Sequence, residues 1–211
     1  MKPNTHVRTA WRLVLMTTIL LAGSALAQGM GRGPGSHSGG GGGMGPGTMG
    51  VTTTSEATFL VHMIPHHQEA IDSARQLLDV TERPELIDLA HDIIETQSAE
   101  IEAMESWLDA WHPDVDREVA YEPMMRDLSG APASEIEQAF LEDMIVHHMM
   151  AVREARVLLA RGYAEHDEVA ELARTIVATQ MSEMRRMRTW LVEWFGVRGP
   201  MGGGPGRMMG F

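Results

Sequence analysis

Residues 59–78 read FLVHMIPHHQEAIDSARQLL, and residues 140–159 read FLEDMIVHHMMAVREARVLL. The two stretches align at an offset of 81 residues, which pairs His66 with His147 and His67 with His148. Residues 89–108, LAHDIIETQSAEIEAMESWL, align with residues 172–191, LARTIVATQMSEMRRMRTWL, at an offset of 83. Self-similarity at a fixed spacing indicates a repeated structural unit. We therefore predict two copies of one motif, residues 55–111 and residues 135–196.

Each copy has the periodicity of two amphipathic helices. Side chains suited to a core recur at spacings of three and four residues, as they do along one face of an α-helix. In the first helix they are Phe59, Met63, His66, Ala70, Ala74 and Leu77, and in the second Ile93, Gln97, Glu100, Met104 and Leu108. Four long helices with short turns and one longer link predict an all-α fold, a four-helix bundle made of two duplicated helical hairpins.

Local signals predict the ends of these helices. Two capping-box patterns predict N-termini, and they are Thr53-x-x-Glu56 and Ser134-x-x-Glu137. Further predictions are Pro84 in a first turn, Asp167 as an N-cap, and Gly162 and Gly196 at C-termini.

The two ends of the chain differ in composition from the repeats. Residues 1–27 combine a basic start, a short apolar run and the small-residue site Ala25-Leu26-Ala27, the pattern of a cleavable secretory signal peptide. Residues 28–50 and 199–211 are rich in glycine and methionine, which predicts a flexible linker and tail around a bundle at residues 51–198. We expect a periplasmic or extracellular protein with no membrane span after signal cleavage.

Charge and sulfur content narrow the classes of partner. The formal net charge is −12, and loss of Lys2, Arg8 and Arg12 with the signal would make it −15. Such an acidic chain repels nucleic acid and tolerates cations. It has 18 methionines and no cysteine, so soft-metal chemistry would have to use thioether and imidazole.

The duplicated histidine pairs predict a metal site. Met63 lies one helical turn before His67, and Met144 stands in the same relation to His148. Thioether and imidazole without thiolate favour copper, the cuprous ion above all, or silver, with the cupric ion as a further candidate. The predicted ligands are Met63, His66, His67, Met104, Met144, His147, His148 and Met187.

Other polar side chains on these helices are predicted to orient the ligands. They are His62, Gln97, Glu100, Asp143, Gln180 and Glu183. We expect four histidines without a histidine counterpart in the other copy to be solvated surface side chains, namely His62, His91, His112 and His166, although His62 lies one turn before His66.

The motif MIPHHQEAI at residues 63–71 and the later Q-x-x-E-I-x-x-M-x-x-W-L at residues 97–108 resemble a known family. It is the domain-of-unknown-function family 305, which has a ferritin-like helical architecture and includes CopM-type periplasmic copper-binding proteins. The resemblance covers residues 55–196 and implies an exported four-helix protein, with copper binding and copper tolerance for some members. The second copy departs from the motif, with Val146 in place of proline and Met149-Met150 in place of Gln-Glu.

These observations favour an exported copper-binding protein that sequesters or buffers copper and contributes to metal tolerance without catalysis. A structural or protein-interaction helical module, in which the histidines only pack, is the first alternative. A di-iron oxidase on a four-helix bundle is less favoured, because those sites use Glu-x-x-His pairs and the chain contains none.

The methionines of the glycine-rich ends generate a prediction of their own. They are Met30, Met44 and Met49 before the bundle, and Met201, Met208 and Met209 after it. Thioethers do not compete with protons, so weak cuprous capture by these ends should persist at acidic pH, where solvated imidazoles are protonated. Trimming the chain to residues 51–198 should keep the fold and the tighter sites but lose weak cuprous equivalents. Cuprous stoichiometry by competition with a chromogenic chelator at pH 5 and pH 7 measures this, and equal values for full and trimmed chains would make the ends linkers only.

Overall fold

A computed structural model describes residues 53–197 of the chain. Four α-helices occupy this range: α1 Glu56–Leu78, α2 Pro84–Trp111, α3 Ala133–Arg161 and α4 Asp167–Phe195. Helix α1 packs along α2, α3 packs along α4, and the two hairpins meet where α1 contacts α3. The predicted all-α four-helix fold of two helical hairpins is confirmed.

The predicted signal peptide, the linker at residues 28–50 and the tail at residues 199–211 lie outside the described residues, together with their methionines. Within residues 53–197, none of the four helices has an apolar stretch long enough for a transmembrane span.

The interior has two apolar clusters with a polar layer between them. One cluster contains Phe59 and Leu108 together with Leu158 from the other hairpin. The second contains Leu77 and Phe140, again one residue from each hairpin. Along each helix the chain passes from one cluster to the other through buried polar residues, which are His66, His67, Gln97, Glu100, His147, His148, Gln180 and Glu183.

Both capping-box predictions are wrong. The N-cap of α1 is Ser55, whose hydroxyl accepts from the Thr58 amide and whose own amide donates to the Thr58 hydroxyl. Helix α3 begins at Ala133, one residue before Ser134. The two glutamates do not cap because their carboxylates bind distant segments: Glu56 accepts from His166, and Glu137 from Arg83.

The remaining end signals agree with the structure to within one residue. Pro84 is the first residue of α2, and Gly162 and Gly196 are the C-caps of α3 and α4. Asp167 is the first residue of α4 rather than its N-cap, which is His166. Both C-cap glycines have φ of +66°, the left-handed conformation that glycine adopts without a steric penalty.

Replacing Gly162 tests this cap. No atom lies within 4 Å of an added Cβ, so Gly162→Ala is opposed by backbone strain alone. We expect it to lower the free energy of unfolding by about 1 kcal/mol. Gly162→Asn should cost less, because asparagine tolerates the left-handed conformation better. Urea unfolding followed by circular dichroism measures both, and an alanine variant as stable as the parent would contradict the assignment.

Candidate metal centre

Four buried imidazoles meet in the polar layer between the hairpins. The rings of His66 on α1 and His147 on α3 stack with centroids 3.7 Å apart and planes inclined by 33°. Each also faces its chain neighbour, since the centroids of His66 and His67, and of His147 and His148, are 6.2 Å apart. The duplication therefore produces a row of four rings around a pseudo-twofold axis.

A carboxylate from the partner helix orients each outer ring of the row. His67 Nε2 donates to Glu100 Oε2 over 2.8 Å, and His148 Nε2 donates to Glu183 Oε2 over 2.7 Å. In a neutral ring, donation from Nε2 leaves a lone pair on Nδ1. A carboxylate that holds one imidazole nitrogen while the other is free is the usual arrangement around histidine ligands of metal ions.

Six imidazole nitrogens of the row are buried and have no hydrogen-bond partner among the described residues. They are Nδ1 and Nε2 of His66 and His147, and Nδ1 of His67 and His148. Each buried polar atom without a partner lowers the stability of the fold by roughly 1–3 kcal/mol. A ligand that binds this cluster of six nitrogens would offset part of that loss. Metal coordination would use the free lone pairs, and the donor set fits a metal that accepts imidazole.

The long link between α2 and α3 closes over one side of the row. The Tyr121 hydroxyl donates to the Glu69 carboxylate, whose Oε1 accepts from the amides of Met124 and Met125 over 2.7 and 2.9 Å. The other oxygen, Oε2, lies 3.3 Å from His147 Nε2. In the second copy the equivalent of Glu69 is Met150, so this carboxylate is present on one side only.

Burial determines the charge state of the two stacked rings. It lowers the pKa of His66 well below the ordinary histidine value, and the neighbouring imidazoles add to this effect. Burial also lowers the pKa of His147, although Glu69 opposes the change. Burial acts to raise the pKa of Glu69 itself, but the close contact with His147 and hydrogen bonds from Tyr121 and Met125 outweigh it and hold the value at about 2. The stacked imidazoles are therefore neutral at pH 7, the form that binds metals.

The four predicted thioether ligands are buried in layers next to the imidazoles. Met63 lies one turn before His67 on α1, and Met104 one turn after Glu100 on α2. Because the hairpin is antiparallel, both steps lead to the same level, and the two side chains belong to one apolar cluster. Met144 and Met187 have the same relation in the second hairpin and belong to the other cluster. Each hairpin thus places a pair of thioethers about 6 Å along the axis from its histidine–glutamate pair.

The other side chains predicted to orient ligands lie in different surroundings. Gln97 and Gln180 line a small cavity of ≈ 10 Å³ with Glu100 and Glu183, and the side-chain oxygen of each glutamine lacks a hydrogen-bond partner among the described residues. Asp143 is directed elsewhere, because its carboxylate accepts from Arg126. His62 is half-buried, one turn before His66. The sequence does not predict the contact between Tyr121 and Glu69, because the link between α2 and α3 has no periodicity that would place it against α1.

A second histidine cluster lies at one end of the bundle, where the expectation of solvated side chains is wrong. His112 and His166 are partly buried, and both donate to Oε1 of the buried Glu56, over 3.0 and 2.7 Å. Burial acts to raise the pKa of Glu56, but the hydrogen bonds from His112, His166 and two backbone amides bring it below the ordinary value. His91 is exposed, as expected.

Comparison with known families assigns the chain. The model of a domain of unknown function, DUF305, matches residues 56–124, 115–191 and 137–208. The chain belongs to the DUF305 family. A comparison with curated proteins finds no match.

Solved structures show the same helical fold. CopM in its Cu(I)-bound form is 34% identical, with a TM-score of 0.61 over 68% of this chain and 100% of CopM. CopM in a Ag-bound form gives 33% identity and a TM-score of 0.61 over the same shares. A DUF305 fragment from Deinococcus radiodurans is 32% identical, with a TM-score of 0.58 over 66% of this chain and 97% of the fragment. This DUF305 protein is thus a CopM-like helical protein.

The low pKa of His66 predicts how the metal-free protein responds to acid. The unfolded chain takes up a proton at this residue near pH 6.5, whereas the folded protein resists protonation until a lower pH. Stability should therefore fall as the pH drops below 6.5, by at most about 1.4 kcal/mol per pH unit for one such group. The His66→Gln variant should show a shallower decline between pH 7 and pH 5.

Urea unfolding in the presence of a chelator, at half-unit pH intervals, measures these slopes. The interval from pH 7 to pH 5 lies above the pH range in which carboxylates lose their stabilising contacts on protonation. Glu69, with its pKa of about 2, is one of these carboxylates. His91→Gln is the matched control, because His91 is exposed and should leave the slope unchanged. Parallel curves for the parent and His66→Gln would contradict the prediction.

Proposed function

We propose that this DUF305 protein is exported and binds copper through its central Met/His sites, sequestering or buffering the metal and contributing to metal tolerance. The observation that carries the proposal is the group of six buried imidazole nitrogens without a hydrogen-bond partner among residues 53–197. The proposed metal ligands are His66, His67, His147 and His148, with Met63, Met104, Met144 and Met187.

The mixture of donors favours the cuprous ion. Imidazole accepts either copper oxidation state, whereas thioether is a soft donor that prefers Cu(I) and Ag(I). The donors available in each hairpin are two imidazoles and two buried thioethers, with no thiolate. CopM, which this chain resembles over most of its described length, has been solved in Cu(I)-bound, Cu(II)-bound and Ag-bound forms.

Storage or buffering suits the centre better than catalysis does. The row is enclosed by four helices and the Tyr121 link, and the low pKa values of the stacked His66 and His147 leave no positive charge there to repel a cation. Glu100 and Glu183 are hydrogen-bonded to the imidazoles of the outer rings. We therefore propose that they orient the histidine ligands and do not take part in catalysis. The predicted signal peptide supports action outside the cytoplasm.

The second candidate is a structural module in which the histidines only hold the hairpins together. The stack of His66 on His147 favours it, because this contact lies where α1 meets α3. Under this hypothesis, histidine substitutions would change stability and leave metal content unaffected.

Metal content separates the two functions. The mature protein purified from copper-supplemented cells should retain copper by elemental analysis, and a variant with all four central histidines changed to Gln should retain less. Met63→Leu/Met104→Leu should weaken Cu(I) binding more than Cu(II) binding, because it removes soft donors while conserving side-chain volume. Competition with a chromogenic cuprous chelator under ascorbate gives the Cu(I) affinity, and calorimetric titration with Cu(II) in the absence of ascorbate gives the Cu(II) affinity.

His91→Gln is again the matched control and should retain the copper content of the parent. The methionine variant covers the case in which the quadruple histidine variant fails to fold. A folded histidine variant with undiminished copper, or a parent that binds neither oxidation state more tightly than millimolar, would overturn the proposal.

A further inference from the structure

The cluster at the end of the bundle brings together three separate parts of the chain. Glu56 begins α1, His112 follows the last residue of α2, and His166 precedes α4. One carboxylate oxygen of Glu56 lies 3.0 Å from His112 Nε2 and 2.7 Å from His166 Nδ1. These three ligand atoms all lie within 4.8 Å of one another.

The surroundings hold two of these side chains in place. The second oxygen of Glu56 accepts from the backbone amides of Glu165 and His166, over 2.6 and 2.9 Å. The ring of His166 stacks on Trp111, with centroids 3.7 Å apart and planes inclined by 4°. Oε1 of Glu56 and Nδ1 of His166 therefore point to a fixed position at the bundle end.

We propose that Glu56, His112 and His166 form a second metal site, distinct from the central Met/His sites, that binds a divalent cation. Two imidazole nitrogens and one carboxylate oxygen are borderline and hard donors without a thioether, a set that suits Cu²⁺ and Zn²⁺ rather than Cu⁺. By the general order of divalent affinities, Cu²⁺ binds there more tightly than Zn²⁺.

The geometry accommodates such an ion with small adjustments. Ligand nitrogen and oxygen atoms lie roughly 2.0–2.2 Å from a bound Zn²⁺, so a shift of about an ångström in the imidazoles opens the centre of the cluster. When each imidazole carries its proton on the other ring nitrogen, the lone pairs of His112 Nε2 and His166 Nδ1 face the same carboxylate oxygen. The histidines are 16% and 31% exposed, which leaves a path for an ion to enter and for water to complete its coordination.

The opposite end of the bundle provides an internal comparison. The offsets of the repeat pair Glu56 with Glu137, His166 with Arg83, and His112 with Phe195. Glu137 Oε2 accepts from Arg83 Nε over 2.9 Å, and the guanidinium lies 4.5 Å from the centroid of Trp194. This tryptophan is the counterpart of Trp111.

The two ends of the bundle make the same contact between the hairpins, but only one of them carries metal-binding side chains. At both ends a glutamate from one hairpin binds the helix N-cap residue of the other, with a tryptophan packed on that residue. Arg83 fulfils this role, yet a guanidinium has no lone pair for a metal and Phe195 has no donor. The end with Glu56 therefore carries two metal-binding groups that the contact between the hairpins does not need.

The two metal sites are separate along the bundle. Glu56 and His66 are ten residues apart on α1, which corresponds to about 15 Å. No side chain of the central row belongs to the end cluster, so each site can be removed without altering the ligands of the other. The acidic composition of the chain favours divalent cations throughout.

The proposal is tested by replacing the two histidines with the residues at the opposite end of the bundle. The variant His112→Phe/His166→Arg carries the equivalents of Phe195 and Arg83, which the fold already accommodates there. Isothermal titration of the mature, metal-free protein with Cu²⁺ alone, and separately with Zn²⁺ alone, should show one divalent equivalent that this variant lacks. His112→Phe by itself should weaken that equivalent at least about tenfold. In the variant with four central histidines changed to Gln, electron paramagnetic resonance of the Cu²⁺ form should show nitrogen coupling from two imidazoles, and adding His112→Phe/His166→Arg should remove it.

Two measurements distinguish failure of this proposal from failure of the central copper site. The double variant should keep the parent's cuprous stoichiometry and thermal unfolding temperature, and the variant with four central histidines changed to Gln should keep the end-site equivalent. Arg83→Gln, at the opposite end, should leave divalent binding unchanged. Unchanged divalent stoichiometry and affinity in the folded double variant, or in His112→Phe if the double variant does not fold, would overturn the end site while leaving the central site untouched.

Discussion

The contact between His66 and His147 is the constraint around which the molecule is arranged. It lies where the two hairpins meet, and it requires polar rings to be buried between two apolar clusters. Once there, each ring must find partners for its nitrogens. Glu100 and Glu183 provide one partner for each outer ring, Glu69 approaches His147 from one side, and the remaining nitrogens are left for a ligand. Burying imidazole nitrogens without partners costs stability that an apolar core would not lose.

Duplication explains both the symmetry of the centre and its departures from symmetry. Equivalent histidines and glutamates repeat their geometry almost unchanged, since the two outer hydrogen bonds differ by 0.1 Å. The differences lie at positions where the copies diverged: Glu69 opposite Met150, and His166 opposite Arg83. Each difference exchanges a side chain with an oxygen or imidazole donor for one without, because methionine offers only a soft thioether and arginine has no lone pair. The scaffold is thus common to both halves, while the donor atoms that they offer differ.

Much of this arrangement could be predicted from the sequence. Periodicity and the repeat identified four helices, and the histidine pairs with Met63 and Met144 pointed to the central layer. The prediction failed for Glu56 and Glu137, because a capping-box pattern is a local signal and both carboxylates bind residues more than fifty positions away. It also failed for His112 and His166, which are surface residues by sequence and become partly buried only when three chain segments meet.

The sequence alone determined whatever depends on neighbours three or four residues apart: helical periodicity, the C-cap glycines, the duplication and the Met-x-x-x-His spacing. These follow from backbone geometry, which repeats along any helix. The tertiary structure decided which nitrogens lack partners, which carboxylate faces which ring and which histidines converge at the bundle end. Those features depend on the crossing of α1 and α3 and on the path of the link through Tyr121. Distances between helices arise from packing of side chains far apart in the chain, and local spacing carries no information about them.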